Sequence, residues 1–498
     1  MWTVSFETLG CKLNQVETEA IAEAFQDAGF TLVPWGNGAD IQVLNTCTVT
    51  SKAEQKARRL IRKALRDYPQ AVLLITGCYA QMEAAAIEQL QREDPLFAGR
   101  LFVIPGISKD RLLSLPAYLA DAGGSSEDLR HHLSVWFAQE KADEASDPFA
   151  FHVRDFSFHS RPFLKIQEGC NNVCSFCRVR LARGRSQSLP VSRVLEEIQE
   201  LERRGFGEVV LTGVNLNQYH DEKYDLRGLL EYLLIHTHRI ALRLSSTEPE
   251  GVSEAFAEVL QEPRIRPHFH LSVQSGSDAI LAAMRRRYNR ASVIQAVERL
   301  RRVKEDPFLA CDIITGFPGE SAEDFAATVD LLQSLEFAYV HAFPFSPRPG
   351  TEAARLPHRV PEREARQRTD ALVRYSRRAK QAYLARWLGR TVKAVYEGKG
   401  SSRGGIHRAL TENYLSLLLE DSPSVSHLYP GQAFYCRIEG QALPGTVPEQ
   451  EVPPRSFFLL EQQADTEGPP SLSLSTEEEA SFSVEDSVDG RGICVILE

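Results

Sequence analysis

At 498 residues the chain is too long for one hydrophobic core, and about three domains are expected. With 43% apolar and 25% charged residues it reads as an ordinary soluble globular protein, which excludes a fibrous or wholly disordered one. The net charge of −10 argues against a nucleic-acid binder only until its distribution is read. Residues 441–498 hold 12 Asp or Glu against Arg455 and Arg491, and so carry the whole net charge. Residues 355–408 hold 15 Lys or Arg against Glu362, Glu364, Asp370 and Glu397, a density that suits phosphate. A solvated helix face is the plainer reading of such a run. The start lacks a basic stretch followed by an apolar one, and no run of about 18 apolar residues occurs. A cytoplasmic protein with no membrane span is expected. There the nine cysteines are metal ligands or core residues rather than disulfides.

The first hundred residues alternate strand and helix. Residues 3–7 read as a strand, and 14–29 as a helix with Val16, Ala20, Ile21, Ala24 and Phe25 on one face. Residues 41–44 are a second strand, 51–66 a helix with Ser51 as N-cap, and 71–76 a third strand followed by a helix from about Gln81. Such repeats predict a parallel βα domain over residues 1–110. Residues 111–154 read as a linker, loop-like at 123–128 and 141–148. A second βα series fills 155–387, with strands at 163–167, 208–211, 241–244, 269–273, 310–314 and 339–343. Helices such as 192–203, 291–304 and 322–335 lie between them; six units predict a partial (β/α)6 barrel, not the closed eight-fold one. Residues 361–388 form a long basic amphipathic helix. Strands at 391–396, 414–419 and 433–438 then read as a small, OB-like all-β barrel within 388–440. Residues 441–498 are an acidic low-complexity tail, disordered in large part.

The cysteines carry the chemistry. Cys170, Cys174 and Cys177 sit on one short loop directly after the first strand of the second series. Three thiolates so placed can wrap three corners of a cubane cluster and leave its fourth iron open to a ligand. A zinc site needs a fourth ligand close by, and the nearest downstream histidine is His220. Cys11, Cys47 and Cys78 are far apart in sequence, yet each follows a predicted strand, and in a parallel sheet those loops share the edge where ligands bind. A second three-cysteine cluster site follows; the plainer reading is three unconnected thiols. Cys311 and Cys436 lie in strands and read as structural, and Cys494 has no assigned role.

The three-then-two spacing of the Cys170 loop resembles the radical S-adenosylmethionine (SAM) superfamily over about residues 155–350. Both cysteine sets together resemble the methylthiotransferase family over about residues 1–440. The resemblance rests on Asn45-Thr46-Cys47-Thr48-Val49-Thr50, Thr76-Gly77-Cys78-Tyr79-Ala80-Gln81, Leu164-Lys165-Ile166-Gln167-Glu168-Gly169-Cys170 and Ala182-Arg183-Gly184. It continues through Leu271-Ser272-Val273-Gln274-Ser275-Gly276-Ser277, Gly316-Phe317-Pro318-Gly319-Glu320 and Phe345-Ser346-Pro347-Arg348-Pro349-Gly350-Thr351. The run Gly10-Cys11-Lys12-Leu13-Asn14 resembles the branch acting on threonylcarbamoyladenosine beside the tRNA anticodon. The isopentenyladenosine branch usually has Gln-Met-Asn after the cysteine, and the ribosomal-protein aspartate branch Pro-Lys-Asn.

The resemblance implies an α/β fold with an N-terminal parallel βα domain, a radical SAM partial barrel and a C-terminal all-β TRAM barrel that binds RNA. It implies two 4Fe-4S clusters, on Cys11, Cys47 and Cys78 and on the catalytic Cys170, Cys174 and Cys177. One SAM methylates a sulfur held at the first cluster. A second, cleaved at the other, yields the radical that takes hydrogen from C2 of the adenine, and the methylthio group follows. An external reductant and a sulfur source are implied partners besides tRNA and SAM. The SAM site is expected along the strand ends at Thr212, Gly213, Asn215, Ser245, Ser246, Gln274 and the 314–317 stretch with Gly316, and Phe176 flanks the adenine or packs the loop. Gly213 and Gly316 read either as close-approach or as turn glycines. The helix with Lys52, Lys56, Arg58, Arg59, Arg62, Lys63 and Arg66 contacts tRNA phosphate or is a solvated face, and the basic helix 363–386 is the better RNA candidate. Two departures stand out: Arg178-Val179-Arg180 replaces the usual Ile-Ile-Pro or Ile-Val-Pro, and Gln187 stands where an arginine is common. The alternatives are the same chemistry on isopentenyladenosine or on a ribosomal-protein aspartate and, in another class, a non-catalytic iron–sulfur RNA-binding protein.

Overall fold

A computed structural model describes residues 2–124, 126–139, 146–154, 156–399, 406–419, 423–441 and 492–496. Five parallel strands form the N-terminal sheet, in the spatial order Thr31–Leu32, Thr3–Thr8, Ile41–Thr46, Val72–Gly77 and Leu101–Val103. Of the three inner strands, Ile41–Thr46 and Val72–Gly77 are buried along their whole length, as expected of strands covered by helices on both faces. Helices Lys12–Asp27, Ser51–Asp67 and Cys78–Glu93 connect them. Two sequence readings shift here. The N-cap of the second helix is Thr50, whose hydroxyl accepts from the Ala53 amide at 3.1 Å, while Ser51 is already helical. The third helix begins at Cys78 itself rather than near Gln81.

The stretch read as a linker contains two helices, Leu115–Ala122 and Ser126–Ala138. Leu119, Leu129, Leu133 and Trp136 are buried with Trp2, Phe25 and Phe30 in one core, so the apolar spacing outweighs the Gly123-Gly124 punctuation. Of the second loop-like run, residues 141–145 lie outside the described residues.

Six parallel strand positions make the partial barrel: Phe163–Lys165, Glu208–Thr212, Ala241–Leu244 continued by Ser246–Thr247, His268–Gln274, Phe308–Thr315 and Tyr339–Pro344. The third position passes on the pairing, since Ala241–Leu244 pairs back to Glu208–Thr212 and Ser246–Thr247 forward to His268–Gln274. Helix Glu362–Ala385 packs on the last strand, where Ser376 accepts from the Val340 amide at 2.8 Å. The N-terminal domain docks on the first strand, and Phe163 and Val210 enter its core.

Strands Thr391–Lys399, His407–Thr411, Ser416–Leu419 and Ala433–Gln441 form an antiparallel half-barrel, and the backbone of Gly492–Ile496 pairs with both of the last two. The strand at 407–411 is additional to the sequence reading. So is 492–496, within the run read as a tail; residues 442–491 of that run lie outside the described residues. This unit packs against the N-terminal edge of the large barrel, around Phe308, Tyr383 and Leu384. Cys311 and Cys436 are fully buried in strands, as expected. No helix among the described residues is long and apolar enough to cross a membrane.

Candidate iron–sulfur and SAM site

Each cysteine of the first set stands where a strand hands over to the next segment. Cys11 is the N-cap of helix Lys12–Asp27 and Cys78 the first residue of helix Cys78–Glu93, so both lie at helix ends whose free N–H groups favour negative charge. Two glycines bring the loops together. At Gly10, with φ +120°, a Cβ would sit 2.9 Å from Cys47 Cβ and 3.2 Å from its Sγ. At Gly77, with φ +96°, it would strike the Thr46 carbonyl oxygen at 2.3 Å. Asn14 ties the same loops, donating to the carbonyls of Leu9 at 2.9 Å and Thr46 at 3.1 Å. Burial pushes the Cys47 thiol up to about 12, and the neighbouring Cys78 and Cys11 push the same way. The loops that carry the three cysteines therefore meet at one edge of the sheet.

The second set is held on a loop ending in the short helix Val179–Arg183. The Asn172 amide donates to Cys170 Sγ at 3.4 Å and the Val179 amide to Cys177 Sγ at 3.4 Å, while Arg286 Nη1 reaches Cys174 Sγ at 3.1 Å. Arg286 is itself held by Glu248 at 2.7 Å, and Glu248 accepts from Asn172 at 2.9 Å. Cys177 is also raised to about 12, chiefly by burial and then, among neighbouring thiols, by Cys174 and Cys170. Protonated thiols in such company become good ligands when a cationic centre replaces their protons.

Thiols are the donors that an iron–sulfur cluster takes. Among the described residues no three His, Cys, Asp or Glu side chains converge tightly enough to hold one metal ion. A cubane, in contrast, takes each thiolate on its own iron. Amide and guanidinium donors to the sulfurs are the contacts that tune such a cluster.

Arg183 joins the two sets. Its Nε donates to Cys78 Sγ at 3.2 Å, its Nη1 to Glu17 at 3.1 Å and to Glu168 at 2.9 Å, and its Nη2 to Asn14. Glu168 precedes Gly169 and Cys170, so one guanidinium touches a thiol of the first set and the base of the second loop. Lys109 and Lys165, at 3.0 Å, complete the pairing of Glu17. Burial works against the Arg183 charge, but Cys78, Glu168 and Glu17 outweigh it. Arg183, Lys165 and Glu168 sit in the motifs named above, yet nothing local marked the pairing of the two cations with Glu17. Arg286 lies in a run of three arginines that carried no signal at all.

The expected SAM residues lie along the barrel edge that carries the Cys170 loop, with different local roles. Asn215 is buried, its amide donates to Gln167 Oε1 at 2.8 Å, and its side chain helps hold the Cys170 thiol down against burial. Thr212 closes its strand and is buried. Ser245 Oγ is buried with no hydrogen-bond partner, an atom suited to a bound polar group. Ser246 Oγ meets His270 Nδ1 at 2.5 Å. Gln274 is a non-glycine residue at φ +66°, a strained conformation of the kind that collects at functional sites. Phe176 packs edge-on to Phe317 at 6.5 Å between ring centroids. The two glycines are accounted for by protein neighbours: a Cβ at Gly213 would meet Gln167 at 2.8 Å, and one at Gly316 would meet Ala365 at 2.4 Å.

Two family descriptions match: "Radical SAM superfamily" over residues 164–332 and "Uncharacterized protein family UPF0004" over residues 3–99. A cysteine-bearing parallel domain docked on a cysteine-loop partial barrel thus defines a radical SAM protein with an added N-terminal domain. The threonylcarbamoyladenosine tRNA methylthiotransferase MtaB of Treponema pallidum is 44% identical over 84% of this chain and 94% of its own. That of Aquifex aeolicus is 34% identical over 85% and 98%. A Cereibacter sphaeroides tRNA-2-methylthio-N(6)-dimethylallyladenosine synthase is 33% identical over 80% and 88%. The chain belongs to the threonylcarbamoyladenosine tRNA methylthiotransferase family of radical SAM enzymes.

Proposed function

We propose that this protein converts threonylcarbamoyladenosine next to the tRNA anticodon to its 2-methylthio derivative, with SAM as both methyl donor and radical source. The observation that carries the reading is the meeting of two cysteine sets at one domain interface, with Arg183 in contact with Cys78 and with the Glu168 carboxylate beside the Cys170 loop. Cys170, Cys174 and Cys177 would hold one 4Fe-4S cluster, and Cys11, Cys47 and Cys78 a second. Bound there, the first would supply the electron for cleaving SAM to a carbon-centred radical, and the second would supply the sulfur. The chain's own residues would keep the cleaved SAM and the sulfur within reach of one adenine.

Ser245, Ser246, Asn215 and Gln274 along the strand ends, with Phe176, Thr212, Gly213 and Gly316 nearby, form the SAM site in this reading. Exposed Arg363, Arg366, Arg374, Arg377 and Arg378 on helix Glu362–Ala385, and Lys52, Arg59, Arg62, Lys63 and Arg66 on helix Ser51–Asp67, are the phosphate contacts. The C-terminal β unit is a TRAM-type RNA grip. Because it sits on the opposite edge of the large barrel, it holds tRNA at a distance from the chemistry. The enzyme works in the cytoplasm with an external reductant and sulfur source.

The test is reconstituted protein with SAM, dithionite, sulfide and tRNA carrying threonylcarbamoyladenosine, followed by mass analysis of nucleosides. The methylthio product is expected. Methylthiolation only of isopentenyladenosine tRNA or of a ribosomal-protein peptide, or no SAM cleavage with any substrate, would overturn the assignment.

A further inference from the structure

Arg178 follows Cys177 directly and stands where the family resemblance leads one to expect isoleucine. It is buried at the domain interface, with Nη1 3.4 Å from Glu54 Oε1 and Nη2 2.9 Å from Glu83 Oε1, both carboxylates on N-terminal helices. Arg348, beyond the last barrel strand, closes on the same oxygen, Glu54 Oε1, and donates to Thr48 Oγ1 at 3.0 Å and to Ser51 Oγ at 3.0 Å. The Ser51 amide in turn donates to Ser346 Oγ at 3.0 Å. Along the chain, Arg178 is one residue from Cys177 and Thr48 one residue from Cys47.

We infer that Glu54, gripped by Arg178 and Arg348, is a positioning device that fixes the separation and facing of the two cysteine sets. The inference rests on the proposed two-cluster function and adds residues to it. An aliphatic side chain at 178 would hold the domains by contact area alone, which has no preferred direction. Guanidinium–carboxylate pairs in a buried interface are directional and resist sliding. Transfer between two centres is sensitive to such sliding, since a displacement of about 1 Å can cost on the order of a hundredfold in rate. Because Glu54 serves two arginines, its removal leaves both buried guanidiniums without their shared carboxylate.

The experiment compares Arg178→Met, Arg178→Lys and Glu83→Gln with wild type, each as reconstituted full-length protein. Three quantities are read: iron per chain, the ratio of methylthio product to 5′-deoxyadenosine, and the magnetic interaction between the reduced clusters in electron paramagnetic resonance. Arg178→Met keeps its iron and its SAM cleavage, but the product ratio falls about tenfold and the cluster–cluster interaction changes. Arg178→Lys recovers part of both. A purely structural prop would lower iron and both products together and leave their ratio alone. An unchanged ratio with unchanged magnetic interaction in Arg178→Met overturns the inference. Should that variant lose its iron, Glu83→Gln, which removes one half-exposed partner, decides: a ratio lowered about threefold supports the device and an unchanged one overturns it. If wild type makes no methylthio product on any tRNA, the proposed function fails, and the magnetic interaction still reads the positioning device.

Discussion

Replacing Arg183 by Gln removes the guanidinium that touches Cys78, Glu17, Glu168 and Asn14. Its side chain is 8% exposed, and those of Glu17 and Glu168 are 3% and 6%, so solvent does little to replace the lost partner. Breaking a buried pair costs about 3–5 kcal/mol. Glu17 keeps Lys109 and Lys165, and Glu168 keeps Lys165, which places the loss at the lower end, about 3 kcal/mol. That is roughly a hundredfold in the folding equilibrium. For a cooperative unit of about 150–250 residues, the size of the large barrel, the melting midpoint should fall by about 6–12 °C. A thermal scan of the apo protein by circular dichroism measures it, with Arg183→Lys as the control that keeps the charge and loses the forked geometry. A midpoint for Arg183→Gln within a degree of wild type would refute the argument that this guanidinium holds the two domains together.

Cys47→Ala should lower iron and sulfide by about half of some eight per chain, stop sulfur insertion and leave SAM cleavage in place; metal analysis with product assay checks it. Glu208, buried among Arg161, Arg243 at 2.6 Å and Arg266 at 2.9 Å, is held far below the usual carboxylate range; burial opposes this, but Arg243, Arg266 and Arg161 outweigh it. Its stabilising contribution is therefore complete above its ordinary value of 4.5 and is lost as pH falls below that value toward the depressed one. The stability gap between wild type and Glu208→Gln in urea titrations should accordingly shrink as pH is lowered. Replacing Arg374, Arg377 and Arg378 together by Ala should weaken tRNA binding and flatten its salt dependence by about two to three ion equivalents, read by filter binding across a salt series.

Much of the site was readable along the chain because its chemistry is local or follows from a periodic rule. Cys170, Cys174 and Cys177 share one loop, so their grouping needs no fold. Cys11, Cys47 and Cys78 need only the rule that strand ends of a parallel sheet share an edge. Glycine requirements were less readable. At Gly316 the neighbour that forbids a Cβ is Ala365, some fifty residues on, and no local pattern names it. The two helices between residues 115 and 138 escaped because a Gly-Gly pair and a polar run masked an apolar stripe that becomes evident only against Trp2, Phe25 and Phe30.

The sequence by itself determined the parallel and barrel strands, the two cysteine triplets and the family, because hydrophobic period and ligand spacing are properties of short segments. Only the tertiary structure decided which charges meet where the two cysteine-bearing domains dock. Those charges, Glu17 with Lys109, Lys165 and Arg183, and Glu54 with Arg178 and Arg348, come from segments about 90 to 300 residues apart. Likewise Gly492–Ile496 becomes a strand only by pairing with Ser416–Leu419 and Ala433–Gln441. The physical reason is the same in each case: a buried charge or an unpaired backbone group is unfavourable until a distant partner satisfies it, and the partner is chosen by docking, not by neighbourhood along the chain.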